Sequence, residues 1–427
     1  MFSLLYNFML CILAIAALPK MLWQWFVLGK YRESLSQRLG CTLPSFQPKE
    51  GQKVIWIHAV SMGETRAVIP LYRLIRQTFP ESAVVISTTT ETGNAEAKRS
   101  MPDADAHFFL PLDFSWVIRR VMKRMRPTTL ILCESDFWYH LLKIAKEKGV
   151  HLALVNGKVS ERSSNRFKKV SFFTKRLFSY FDILCVQSDR YCQRFLSMGI
   201  PQEKLIVTGN LKFDSPVKKK GIVELQLLRS KLKISETDRV LIIGSTHPSE
   251  EDWMLSALEK VWEKIPSLKV LLFPRHPERF DDVYKLITDR GFACSRYSAA
   301  LSEEDRLILV DAMGLLNECY QIADVAIVGG SFVSHVGGHN IFEPVLLGIP
   351  TLFGPNMYGQ PDLTEMILSA HAGKQVKIDE LADALIEILE TPFVHRRYVE
   401  ACEQLTKEVQ GSSQRTFDQI FQPKTGL

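Results

Sequence analysis

The feature that most limits how this chain can fold is a pattern that runs twice. Short β-branched apolar runs alternate with helical stretches, pause at the polar segment from Asp214 to Gly221, and then start again. The strand candidates before the pause are residues 54–60, 83–88, 129–135, 151–157, 183–188 and 205–209. Those after it are 240–246, 269–276, 306–314, 325–331 and 350–355. Continuous apolar strands separated by helices build parallel sheets covered on both faces. The pattern predicts an α/β fold of two Rossmann-like domains facing a cleft, with ligands beyond the carboxyl ends of the strands. A length of 427 residues also favours two cores over one. The expected boundaries are an N-terminal segment 1–29, a domain 30–215, and a domain 222–427 that closes with a C-terminal helix.

The N-terminal segment reads as an anchor. Residues 2–18 form an uncharged, mostly apolar run, slightly short of the roughly 20 residues a spanning helix needs. It lacks the basic start and small-residue cleavage site of a signal peptide. Lys20, Lys30, Arg32 and Arg38 follow it, with Trp23 and Trp25 at interface depth. This predicts an uncleaved anchor that spans the membrane or lies in its interface, with the body in the cytoplasm.

Charge is divided unevenly. Residues 1–220 hold 33 Lys+Arg against 17 Asp+Glu (+16), and residues 221–427 hold 20 against 30 (−10). A split of this kind suggests an anionic partner for the first half. The stretch 158–176 carries seven Lys/Arg and one Glu among Phe167, Phe172 and Phe173, and 117–126 carries five Lys/Arg. Aromatics among bases suit a membrane surface or a phosphorylated lipid. No RNA-binding signature is present. The eight cysteines include no CxxC pair and sit mostly in apolar runs, as buried free thiols do. No zinc or disulfide framework is expected.

The polar residues cluster where strands end. Glu64, in Ser61-Met62-Gly63-Glu64-Thr65, follows the first strand. It could act as a general base or simply serve the helix start. Glu134 closes another strand and could be an active-site carboxylate or a cap. Lys212, in Gly209-Asn210-Leu211-Lys212-Phe213-Asp214, could steady developing negative charge. In the second half, Gly244-Ser245-Thr246-His247 offers hydroxyls to a phosphate, and Arg275 can grip a phosphate or carboxylate in bidentate fashion. The stretch 328–355 contains the pairs Gly329-Gly330 and Gly337-Gly338, then His339-Asn340 and Glu343-Pro344. It reads as a glycine loop entering a helix capped by Asn340, which could bind phosphate or serve packing alone. Glu343 is available for ribose hydroxyls.

These motifs, in this order over roughly residues 1–360, resemble the 3-deoxy-D-manno-octulosonic acid (Kdo) transferases of lipopolysaccharide synthesis. The resemblance implies the GT-B arrangement of two Rossmann-like domains. The donor CMP-Kdo would bind mainly to the second domain, and the acceptor, a lipid A precursor (a tetraacyl disaccharide bisphosphate), to the first. By the same resemblance Glu64 falls on the general base, and Glu134 and Lys212 fall on transition-state stabilising positions. Pro274, Arg275, Met313, Gly314, Leu315, Asn340, Ile341, Phe342 and Glu343 fall on CMP-binding segments. Leu315 stands where the family usually has an acid, and Ser135-Asp136-Phe137 replace its usual residues after the Glu134 position.

The expected reaction is an inverting, metal-independent transfer of Kdo at the inner membrane, with no cofactor and no nucleic acid. Three rival readings are a lipid-directed transferase using a UDP-sugar, a non-catalytic nucleotide-binding membrane protein, and an RNA binder.

Overall fold

The computed structural model describes residues 2–28, 34–42, 45–214 and 219–422. Lys30, Arg32 and most of the polar pause, residues 215–218, lie outside these. The chain divides into two compact units. One comprises Met1–Pro216 with Val409–Leu427, and the other Val217–Glu408.

In the first unit seven parallel strands, β1 (Val54–Ala59), β2 (Ala83–Thr88), β3 (Ala106–Phe109), β4 (Thr129–Cys133), β5 (His151–Gly157), β6 (Ile183–Val186) and β7 (Leu205–Val207), lie in the order 3-2-1-4-5-6-7. Side chains from both faces of β1 are wholly buried, which is why Val54-Ile55-Trp56-Ile57 reads as an unbroken apolar run. The second unit repeats the plan with β8 (Arg239–Thr246), β9 (Leu268–Pro274), β10 (Cys294–Arg296), β11 (Leu307–Leu309), β12 (Val325–Val328), β13 (Thr351–Phe353) and β14 (Gly373–Gln375), in the order 10-11-9-8-12-13-14. Strand order reverses between β1 and β4 in one sheet and between β8 and β12 in the other. Loops leave in opposite directions there and open a crevice at the carboxyl ends.

Eight helices matter below: α1 (Phe2–Leu28), α2 (Met62–Thr78), α3 (Ser115–Met125), α4 (Glu161–Lys169), α5 (Ser171–Ser179), α6 (Glu250–Lys264), α7 (Phe342–Leu346) and α8 (Ser412–Phe421).

Helix α1 is long and apolar enough, by length and composition, to cross a membrane. Its first turns are docked on the first unit. Ser3 Oγ is 2.7 Å from His140 Nε2, and Asn7 Nδ2 donates to Ser115 Oγ at 2.9 Å. Asn7 Oδ1 also accepts the Ser115 N–H at 3.2 Å, doing for α3 what an N-cap side chain does, since Phe114 at that cap has none to offer. Phe2 packs between Tyr139 and Phe173. Beneath, the buried Asp113 carboxylate accepts the His140 and Leu141 N–H groups, and burial pushes it up to about 7.

The last helix departs from the boundary expected for the second domain. Helix α8 packs on α2 of the first unit, with Phe417 and Phe421 against Phe79. Arg415 Nε donates to the Thr208 carbonyl at 3.0 Å, and Asp214 accepts the Gly411 N–H at 2.7 Å. Phe79 at the end of α2 and the segment after β7 both take partners from this distant stretch. Nothing local to residues 412–421 announces it.

Candidate active site

Each unit brings its candidate residues to the crevice at its own order reversal.

In the first unit Glu64 sits in the first turn of α2, with Ser61 as its cap. The Val60 N–H donates to Glu64 Oε2 at 2.9 Å, while Ser61 Oγ is 3.4 Å both from Glu64 Oε1 and from the Glu64 N–H. This ties the helix start through the Ser61 cap and through the N–H one residue before it, not through the Ser61 N–H that a reciprocal Ser-x-x-Glu box would use. It occupies one carboxylate oxygen well and leaves the other weakly held. Burial raises the proton affinity of Glu64. The charge of nearby Glu134 adds to the rise, and the Val60 hydrogen bond opposes it.

Glu134 follows β4 directly and holds a left-handed backbone (φ 62°). It is buried, and two lysines converge on it: Lys158 Nζ at 2.5 Å and Lys212 Nζ at 2.9 Å, with Asn156 Nδ2 donating at 3.3 Å. Burial alone would raise its proton affinity. Lys212 and Lys158 outweigh that and hold the carboxyl below the ordinary Glu range. Lys212 is thus one of two ammonium partners of Glu134. Lys158 and Asn156, at the end of β5, join the cluster unannounced. Lys158 is hidden in the sequence by six further basic residues that follow it. Behind the carboxylates a buried chain runs from Ser87 Oγ to His58 Nδ1 (2.9 Å). It continues from His58 Nε2 to Asp136 Oδ2 (2.9 Å), which also accepts from Trp138 Nε1 (2.7 Å).

In the second unit a cavity of about 390 Å³ is lined by Pro274, Arg275, Met313, Gly314, Asn340 and Glu343, together with Ser245, Tyr320, His339 and others. Six of the nine positions assigned to the donor by resemblance thus share one cavity. The other three do not line it. Ile341 and Phe342 are buried in the core, and Leu315 packs against the cluster around Ile242 and Tyr320. Arg275 has no ion-pair partner among the described residues. Burial raises the proton affinity of Glu343, while Asn340 Nδ2, donating at 3.1 Å, and Arg275 oppose the rise. His339 stacks on His247, their Nε2 atoms 2.8 Å apart. Burial, with His247, Arg275 and His276 close by, pushes His339 down to about 4.

The glycine loop differs from its sequence reading in the helix that follows it. That helix has five residues, and Asn340 lies one position before its cap, accepting the Phe342 N–H at 3.1 Å. So short a helix sums few peptide dipoles. The glycines themselves are explained by packing. A Cβ on Gly329 would lie 2.7 Å from the Ser245 carbonyl and 2.9 Å from Glu250 Oε2, and Gly330 holds φ 68°. The organiser is Glu250, wholly buried at the start of α6. It accepts N–H groups from His247 (2.9 Å), Gly330 (2.7 Å) and Phe332 (2.9 Å). Of the three acids in the first turn of α6, Glu250 is turned onto the loop, and Glu251 pairs with Arg279 at 2.8 Å. Ser245 reaches the cavity, whereas Thr246 is buried away from it.

Two spacings known from metal sites also occur. Asp103 and Asp105, one residue apart, pair with Arg76 at 3.6 and 3.1 Å at the amino end of β3. His335 and His339 stand four apart in the loop before α7. Among the described residues no three His, Cys, Asp or Glu side chains gather as a metal site.

Comparison with known proteins gives a consistent result. The family model for 3-deoxy-D-manno-octulosonic-acid transferase (kdotransferase) matches residues 33–215. A 3-deoxy-D-manno-octulosonic acid transferase of Chlamydia trachomatis is 34% identical over 427 residues, covering 97% of this chain and 96% of its own. One from Haemophilus influenzae is 32% identical, covering 91% of each chain. Among solved structures, UDP-GlcNAc 2-epimerase from Neisseria meningitidis superposes with a TM-score of 0.59 at 14% identity, covering 84% of this chain and 99% of its own. A glycosyltransferase from Rickettsia africae gives 0.58 at 14%, covering 87% and 99%. At that identity the two structures speak for the fold alone, the paired Rossmann-like plan of GT-B proteins.

Proposed function

The chain belongs to the 3-deoxy-D-manno-octulosonic acid (Kdo) transferase family of glycosyltransferases, and from that membership we propose that it moves Kdo from CMP-Kdo to a phosphorylated lipid A precursor in lipopolysaccharide synthesis. The observation that carries the donor half is the second unit's cavity, where Arg275, in no ion pair among the described residues, stands with Asn340 and Glu343. A guanidinium left free in a polar cavity suits a phosphodiester, and Glu343 suits ribose hydroxyls.

The proposed step is a single displacement that inverts the anomeric centre. Glu64 Oε1, the less engaged oxygen, takes the proton of an acceptor hydroxyl. The hydroxyl oxygen then bonds to the anomeric carbon of Kdo as the bond from that carbon to the CMP phosphate oxygen breaks. CMP leaves with the electron pair. The raised proton affinity of Glu64 strengthens it as a base, provided the pH keeps it ionised. Glu134, held ionised by Lys158 and Lys212, fixes those ammonium groups where negative charge on the acceptor can meet them. Each of these roles belongs to side chains of the protein, and the reaction is proposed to need no metal.

The proposed place is the cytoplasmic face of the inner membrane, with α1 lying in the interface. Its first turns are hydrogen-bonded to the unit that also contains buried Ser34. The six peptide steps from Leu28 to Ser34 reach at most ~22 Å, short of the roughly 30 Å hydrocarbon core. An impermeant thiol reagent outside spheroplasts should therefore leave a Val27→Cys protein unlabelled, and labelling would mean that α1 crosses.

Mass spectrometry of the lipid made from a defined precursor tests the reaction, with inhibition by CMP compared with UDP. A Kdo-sized mass gain suppressed by CMP is expected. Stronger inhibition by UDP, or no mass gain, would overturn the donor.

A further inference from the structure

A second cavity in the first unit, about 520 Å³, belongs to neither strand-end cluster's chemistry. Its walls are the first turns of α1 (Phe2, Leu5, Tyr6, Met9) on one side and α4 and α5 (Phe167, Val170, Phe173, Leu177) on the other, and Phe137 and Trp138 complete it. One end is polar, formed by Ser135 and Asp136, the two residues that follow Glu134. The apolar walls stay open: Leu5 is 64% exposed, Val170 51% and Phe172 beside them 76%. Water is a poor occupant for a groove of this composition. Positive charge borders it. Arg166, Lys168 and Lys169 close α4, and the Arg176 guanidinium lies over the Phe2 ring at 5.7 Å.

We infer that this groove seats an acyl chain of the glycolipid acceptor, with α1 acting as one wall of the binding site as well as an anchor. Two features select this occupant over a peptide or a second copy of the chain. The groove starts at the residues next to Glu134, so a chain attached to a sugar held near Glu64 and Glu134 runs straight into it. The Arg176 guanidinium over Phe2, with a basic last turn of α4 adjoining Phe167 and Val170 in the chain, suits a ligand that is anionic at its head and apolar along its length. Docking α1 by Ser3 and Asn7 then has a purpose beyond attachment, because a freely hinged anchor would leave the groove without a wall. The inference rests on the proposed lipid acceptor and adds which part of that lipid is recognised, and where.

The test uses the full chain in non-ionic detergent and one variant, Val170→Trp, which fills the groove from its exposed side and touches no group placed in the chemistry. Transfer is measured to an acylated disaccharide bisphosphate and to the same sugar stripped of its chains. In the wild type, stripping should raise the acceptor KM by on the order of tenfold or more, a gain equivalent to a few buried methylenes, with kcat little changed. Val170→Trp should raise KM for the acylated acceptor to a similar extent and leave the stripped one alone. Equal KM for both acceptors in the wild type, or an equal loss for both in the variant, overturns the groove. A long-chain alkyl phosphate bearing a diazirine at mid-chain reads the site without any reaction. Labelling confined to the 2–9, 135–138 and 167–177 peptides and lost in Val170→Trp supports the groove, and labelling elsewhere overturns it. If the wild type transfers Kdo to neither acceptor, the proposed function fails while the labelling still decides the groove.

Discussion

The two crevices are built alike and settle their buried acids differently. In the first unit the carboxylate at the strand end is answered within its own unit. Glu134 is buried under two lysines, and the neighbouring Glu64 is left with one firm hydrogen bond and a raised proton affinity. In the second unit the buried carboxylate Glu250 is spent on backbone N–H groups, and Arg275, beside Glu343, makes no ion pair among the described residues. The same architecture thus yields a place that can accept a proton and a place that can accept an anion. What decides between them is whether the buried acid is matched by side-chain ammonium groups or by main-chain donors. A transferase needs one of each.

Four substitutions can break that contrast. The largest effect is expected from Glu64→Gln. The side-chain carbonyl of Gln can still accept the Val60 N–H, so the fold should hold while proton transfer is lost. The drop in kcat should be roughly 10²–10⁴-fold, read in a steady-state transfer assay with unchanged circular dichroism. Near-normal kcat would return Glu64 to the role of a cap. Next comes Glu250→Ala, which strands the His247, Gly330 and Phe332 N–H groups. At about 1–3 kcal/mol per unsatisfied buried donor, partly relieved by water, a loss of about 3 kcal/mol in denaturant unfolding is expected. A loss below about 1 kcal/mol would mean that the loop holds itself. Arg275→Ala should then raise the donor KM by roughly 10–100-fold, the worth of a charge-assisted bond to a phosphate, with the acceptor KM unmoved. A shift in the acceptor KM instead would place the cation on the wrong substrate.

The parts of this molecule that were legible in the sequence are those fixed by local burial. Every central strand is an apolar run, because both of its faces are covered. The strands that go unread, β3, β10 and β14, each lie at a sheet edge and carry residues such as His107, Arg296 and Lys374, since an edge strand is half exposed and needs no apolar run. The site divides in the same way. Glu64, Glu134 and Arg275 stand out because strand ends are where chemistry collects. Lys158 does not, since its pairing with Glu134 is made between neighbouring strands 24 residues apart. Glu250 looks like any first-turn acid until Gly330 and Phe332, some 80 residues later, are brought to it. Helix α8 is the extreme case: its partner face, Phe79 and Thr208, is formed by two other segments of the first unit.

The smallest and most discriminating effect concerns Lys158. Removing it in Lys158→Met keeps the aliphatic stem and deletes one of the two charges on Glu134. Lys212 still satisfies one carboxylate oxygen, so the fold should survive, and transfer at pH 8 should fall only a few-fold. The pH profile should change more. Glu64 must be ionised to act as a base, so kcat/KM falls as the pH drops through its raised pKa. Part of that rise comes from the negative charge of Glu134, which two lysines now offset. With one lysine gone, the uncompensated charge on Glu134 should push the proton affinity of Glu64 higher, and the acid limb of kcat/KM should move to higher pH. Glu134 itself should become easier to protonate. Its depressed folded-state pKa stabilises the protein above the unfolded value, and that stabilisation is lost as the pH falls through the folded one; with the folded pKa raised, the variant should have less of this stability to lose and should finish losing it at a higher pH. Profiles of activity and of unfolding from pH 4 to 9 measure both. An acid limb that stays put in Lys158→Met would show that the two carboxylates do not sense each other, and the proton-accepting character of the first crevice would then have to come from burial alone.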